Sequence, residues 1–151
     1  MNSIDLAKSG IAAIEASNFN FVRDNTSDDM VFNGPGGMSL DKKGFIELMR
    51  DLLKAFPDFK YNASNFKQVV NRVTYTIQVS GTHSGVLDLH MPNLPVLQPT
   101  NKHVRLPQEP VTVSFRDSKI YRVDLAEVPG GGPTGILTQL GVKVPQTPSQ
   151  K

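Results

Sequence analysis

The 151-residue sequence has no cysteine, no tryptophan and only three histidines. The absence of cysteine removes disulfides, thiolate zinc sites, iron–sulfur clusters and cysteine nucleophiles together. Among His83, His90 and His103 no pair has the four-residue spacing that lets two imidazoles hold a metal from one helix face, so no metal site is expected. Charge of one sign is also lacking: sixteen Lys and Arg against fourteen Asp and Glu leave a formal charge of +2. That is too little to neutralise several phosphates, and no nucleic-acid partner is expected. No run approaches the roughly 20 consecutive apolar residues of a membrane helix. Asp5, Lys8 and Glu15 break up the amino-terminal stretch, which therefore does not read as a signal peptide. A soluble, cytoplasmic chain without a membrane partner is the expectation.

What is present suffices for one packed core. The apolar share is 38 % with eight phenylalanines, and the length is that of one ordinary domain. Residues 1–142 read as this domain and 143–151 as a disordered tail. Ile4, Ala7, Ile11 and Ile14 recur at helical spacing after Ser3, a candidate N-cap, with Gly10 weakening the helix they make. Phe19, Phe21 and Val22 suit one further helical turn before a short strand at about Met30 to Asn33. The strongest helix runs from about Asp41 to Phe56. Its stripe of Phe45, Leu48, Met49, Leu52, Leu53 and Phe56 ends at Pro57.

After residue 58 the apolar period falls from near 3.6 to 2. Helices followed by alternating strands predict an α+β fold, with the helices packed on one face of an antiparallel sheet. Over 73–83 the odd positions Val73, Tyr75, Ile77 and Val79 form an apolar row that continues to His83. A second pair of runs, Val111/Val113/Phe115 and Tyr121/Val123/Leu125/Glu127, flanks a turn at Asp117-Ser118 and predicts a hairpin. Pro107 and Pro110 place the start of its first run at an edge or outside the sheet. A Gly130–Pro133 hinge and a short helix carrying Ile136, Leu137 and Leu140 complete the domain.

Parity fixes which face of a strand a side chain occupies, so His83 and Glu127 are expected to share the apolar face with their rows. A carboxylate at the end of an apolar row is raised in pKa by desolvation, and an imidazole nearby supplies a second titrating group, which is the material of acid–base catalysis. Both residues also have purely structural readings: His83 as a partner of a turn carbonyl, and Glu127 as a solvated residue where a strand frays before Pro129. Tyr75 and Tyr121 likewise suit core positions. Gly34-Pro35-Gly36-Gly37 lacks the lysine ending of a phosphate-binding loop, and Gly81-Thr82-His83-Ser84-Gly85 is not a nucleophilic serine elbow.

The segments FPDFKY at 56–61, VSGTHSG at 79–85, PTNKHV at 99–104, DSKIYRV at 117–123 and GILTQLGV at 135–142 occur in an order that resembles the SnoaL-like polyketide cyclases of the nuclear transport factor 2-like superfamily. The resemblance spans about residues 40–142. It implies a cone-shaped, cystatin-like α+β barrel in which a strongly curved antiparallel sheet wraps a long helix over a deep apolar pocket, as a homodimer. It further implies ring closure by intramolecular aldol condensation, with neither metal nor organic cofactor, using a pocket aspartate as acid/base and stabilising an enolate. His83 matches the histidine of the family's G-T-H-x-G motif. No aspartate stands at the family's catalytic position before the Q-L-G helix; Asp124 comes too early and faces the wrong way, and Glu127 lies nearest.

His83 and Glu127 are therefore the candidate catalytic pair. Phe32 from the short strand and Leu52 and Phe56 from the long helix are expected to line the pocket. Tyr75, Ile77 and Val79 extend that lining, as do Val113, Phe115, Tyr121 and Val123 from the hairpin. The expected partner is a small apolar molecule bearing a carbonyl or aromatic ring, acted on by cyclase- or isomerase-type proton transfer. A non-catalytic binding or dimerisation module is the main alternative. An epoxide hydrolase-like site is a third reading, and it requires another pocket carboxylate.

Overall fold

Local capping sets where the helices begin. In the computed structural model, which describes residues 2–90 and 94–142, Asn2 rather than Ser3 caps the first helix, its side chain accepting the Asp5 N–H at 2.8 Å. This helix, α1, spans Ser3–Glu15. Asn18 caps α2 (Phe19–Asn25) in the same manner, and β1 (Thr26–Asn33) follows. A 3₁₀ turn at Pro35–Gly37 leads into β2 (Ser39–Asp41). The Asp41 carboxylate then accepts the Gly44 N–H at 2.8 Å and starts α3 (Lys42–Ala55). The expected stripe of α3 is buried from Phe45 to Leu53, with Phe56 just beyond the helix end.

The remaining strands are β3 (Ser64–Val69), β4 (Arg72–Ile77), β5 (Ser80–Thr82), β6 (His103–Arg105), β7 (Glu109–Arg116) and β8 (Lys119–Leu125), followed by α4 (Gly132–Gln139). Six form one sheet in the order β2-β1-β8-β7-β4-β3, while β5 and β6 pair separately. The α+β class is as read from the sequence. The sheet, however, is mixed: β1 runs parallel to β8, and its other neighbouring strands pair antiparallel. Alternation reveals a strand's faces but not its direction, and β1 joins β8 through most of the chain rather than through a hairpin, so a parallel pairing is open to it. The proposed tail at 143–151 lies outside the described residues.

Two departures from simple alternation matter for the site. The row 73–83 is not one strand: β4 ends at Ile77, Gln78 donates its N–H to the Tyr61 carbonyl at 2.7 Å, and the chain then pairs with β6. In the hairpin, Asp117 and Ser118 both adopt the positive φ of a tight turn, 53° and 63°. Its register then slips, so that Phe115 faces Ile120 while Ser114 faces Arg122. Tyr121 is the extra residue of this β-bulge, and a bulge changes the parity of everything on its far side.

Candidate active site

Between the helices and the inner face of the sheet lies a cavity in which about 120 Å³ is open to the centre of a water-sized sphere. One water needs roughly 10–15 Å³ on that measure, so the space suits an organic molecule. Helices α1, α2 and α3 contribute Ile11, Phe21 and Leu48, and the sheet contributes Ile77, Val111 and Val123. Among the described residues that line it there is no Lys, Arg or His.

The polar side chains on this wall are few, and two are already committed. Asn25 donates to the Phe21 carbonyl and Thr26 to the Val22 carbonyl, each at 2.8 Å. Tyr61 and Tyr75 also line the cavity. Burial raises both phenols well above their ordinary pKa, so they remain protonated donors. Among the described residues the Tyr61 hydroxyl has only the Met49 thioether as a partner, at 3.5 Å, and sulfur is a weak acceptor that a ligand oxygen readily replaces.

Glu109 is the one carboxylate among the lining residues, and its relative exposure is 0 %. It stands opposite Ile77 in the β4–β7 ladder, with Val111 opposite Tyr75 and Val113 opposite Val73, and so projects from the apolar face. Its Oε2 accepts the Gly132 N–H at 3.0 Å at the start of α4. Its Oε1 is buried without a hydrogen-bond partner among the described residues. Burial pushes this carboxyl above the ordinary glutamate range, and the Gly132 N–H offsets part of the rise. Beside it the backbone comes unusually close: a methyl group on Gly131 would sit 2.9 Å from the carboxyl carbon.

Sequence reading missed Glu109 because two prolines suggested that the strand began at Val111. Instead, Pro110 lies within β7 opposite Thr76, and its carbonyl accepts the Ala126 N–H at 3.0 Å. Proline removes a donor but keeps its acceptor, so it ends no strand that needs only the carbonyl there. The signal was available: counting back by two from Val113 and Val111 reaches Glu109.

Seven of the expected lining residues do line the cavity: Phe32, Leu52, Tyr75, Ile77, Val79, Val113 and Val123. Three do not. Phe56 is buried against the His83 ring, with centroids 5.4 Å apart. Phe115 is buried in the core but is not among the lining residues. Tyr121, displaced by the bulge, lies under the exposed Arg116 guanidinium at 4.7 Å.

The two expected titrating residues are placed elsewhere and are not joined to each other. His83 is fully buried but outside the cavity lining, because the chain has changed sheets before reaching it. Its Nδ1 lies 2.9 Å from Thr100 Oγ1 and accepts the Thr100 N–H at 3.3 Å. Its backbone bonds to Lys102 and Asn101. It thus ties the two ends of the long β5–β6 connection together, and burial lowers its pKa. Glu127 is exposed, two residues past the end of β8. Its Oε1 accepts the Gly36 N–H at 2.7 Å and so fastens the Pro35–Gly37 turn. His90 and His103 are both exposed. Among the described residues no group of three or more His, Asp or Glu side chains is arranged to hold a metal ion, and no helix is long and apolar enough to cross a membrane.

Comparison with known proteins bears on this geometry. The family model for the SnoaL-like polyketide cyclase matches residues 5–124. No curated protein matches the sequence. Among solved structures, the chain is similar to AclR, a candidate hydroxylase from Streptomyces galilaeus, at 23 % identity and a TM-score of 0.72 over 97 % of this chain and 84 % of that one. It is similar to IdmH, a candidate polyketide cyclase from Streptomyces antibioticus, at 19 % identity and a TM-score of 0.70 over 93 % and 100 %. A SnoaL-like polyketide cyclase from Agrobacterium tumefaciens gives 18 % and 0.65 over 93 % and 100 %, and a cystatin-fold protein from Novosphingobium aromaticivorans gives 19 % and 0.63 over 84 % and 99 %. At these identities the likeness is one of fold.

Proposed function

Because the chain belongs to the SnoaL-like polyketide cyclase family, we propose that it is an acid–base enzyme acting on a flat, uncharged, carbonyl-bearing molecule held in the cavity, with Glu109 as its proton-transfer group. One observation carries this reading: a carboxylate that is fully buried on an apolar wall, held by one oxygen and left unpartnered at the other. An apolar cavity without cationic side chains favours a neutral ligand over a free acid.

In this reading the Glu109 carboxylate takes a proton from the carbon next to a substrate carbonyl. The C–H electron pair moves into the new enolate, whose oxygen is met by a tyrosine hydroxyl from Tyr61 or Tyr75. Attack of the enolate carbon on a second carbonyl of the same molecule closes a ring and leaves an alkoxide. The carboxylic acid of Glu109 returns its proton to that alkoxide, so the group ends as it began. A raised pKa suits both halves, since the base must be strong enough to take the proton and the acid weak enough to keep it until needed. The dry wall keeps water from competing.

Solvent-deuterium exchange into the position next to the carbonyl of 1-tetralone, followed by proton NMR, tests the first half directly. The native protein should accelerate exchange, and Glu109→Gln should lose about 10²-fold of that acceleration while keeping its circular dichroism. Equal exchange rates for the two proteins, or none above buffer for the native one, would overturn the reading.

A further inference from the structure

The cavity face of α1 is the stripe Ala7, Gly10, Ile11 and Ile14, residues three and four apart that lie one above another on a helix. Gly10 sits in the middle of a thirteen-residue helix, where glycine is the least favourable residue after proline. The two usual reasons for a helix-interior glycine are both absent. Its backbone has no positive φ, and a Cβ built on it meets nothing within 4 Å, so neither conformation nor close packing requires the missing side chain. What the glycine does provide is room: its vacant side-chain direction belongs to the face that lines the cavity. The same cavity carries the buried, unpartnered Oε1 of Glu109, an independent sign that something with polar atoms is to be bound there.

We propose that Gly10 is a specificity-determining residue, and that part of the bound ligand occupies the space where its side chain would lie. The volume at position 10 then sets how large a fused-ring ketone the cavity accepts. The inference rests on the cavity being a ligand site, as proposed above, and adds which wall of it that ligand fills. It has an unusual consequence. Because glycine disfavours the helix, replacing it should make the protein more stable and at the same time worse at binding, whereas a residue of merely structural importance loses both together.

Calorimetric titration of the native protein, Gly10→Ala and Gly10→Leu with two neutral ketones, the two-ring 1-tetralone and the three-ring anthrone, separates these cases. Gly10→Ala should melt about 2–4 °C higher than the native protein. Gly10→Leu should bind anthrone at least ~10-fold more weakly while binding 1-tetralone within about 3-fold, the order of discrimination that a few added methylenes in an apolar pocket supply. Unchanged anthrone binding in Gly10→Leu, or an equal loss for both ketones, would overturn the inference and leave the cavity reading standing. Failure of the native protein to bind either ketone would overturn both.

Discussion

Glu109 leaves no room for a side chain at Gly131, where a Cβ would lie 2.9 Å from both the carboxyl carbon and Oε2 of Glu109. Gly131 has φ −94° and ψ −179°, which every residue adopts, so its identity answers to the carboxyl next to it rather than to its own backbone. Gly131→Ala should therefore cost about 1–3 kcal/mol through overpacking. In a Glu109→Ala background, with the carboxyl gone, the same change should cost less than about 0.5 kcal/mol. A double-mutant cycle by urea unfolding measures the coupling; additive costs would show that the contact is not what holds glycine there.

The raised pKa of Glu109 makes a prediction about stability that needs no substrate. A carboxyl whose folded-state pKa lies above its unfolded value favours the protonated chain, so its contribution is complete below the ordinary glutamate value, near 4.3, and is lost as pH rises through the folded value. Burial is the larger cause of the shift and the Gly132 N–H the opposing one. Glu109→Gln, which keeps an acceptor for that N–H and carries no charge, should match the native protein near pH 4 and exceed it at pH 7 by on the order of 1 kcal/mol. Urea unfolding from pH 4 to 8 gives both curves, and parallel curves would contradict the assignment.

Elements were legible in the sequence where one physical pattern acted alone. The stripe of α3, its start near Asp41 and the Asp117-Ser118 turn follow from helical period and turn chemistry, and all three stand in the structure. The candidate site was only half legible, because parity holds within a continuous strand and fails where pairing changes. His83 lies beyond the switch from the large sheet to β5–β6, Tyr121 is the bulged residue, and Glu127 lies past the end of its strand. Glu109 was hidden by the opposite error, a strand taken to stop at a proline that in fact continues through it. The parallel pairing of β1 with β8 is a long-range choice that no local pattern encodes.

Two of the three histidines, His83 and His90, should titrate in opposite directions. Burial lowers His83, so its neutral form contributes stability that is present above about pH 6.5 and is lost as pH falls through that value toward the folded one. His90 is raised, first by its hydrogen bond to Asp51 and next by the charge of Asp88. Its contribution is present below the same ordinary value and is lost as pH rises through the folded one. Because His90 is exposed, its effect should be small and should fade with salt. Imidazole NMR titration should place His83 below and His90 above the ordinary histidine value, with Asp51→Asn returning His90 toward it. His83→Gln should flatten the acid limb of the stability curve.

Glu127 offers the sharpest contrast with Glu109, because both carboxylates accept a glycine N–H and only one of them lines the cavity. The bond from Glu127 to Gly36 fixes an exposed turn, so removing it with Glu127→Ala should speed hydrogen exchange of the Gly36 amide by about 2–10-fold, the worth of one such bond. The same variant should leave deuterium exchange into 1-tetralone at the native rate, since Glu127 lies outside the cavity wall. Glu109→Gln should do the reverse, slowing the ketone exchange about 10²-fold with the Gly36 amide unchanged. If Glu127→Ala instead lost the ketone exchange, the proton-transfer role would move from the buried carboxylate to the exposed one, and the burial of Glu109 would then be a matter of packing alone.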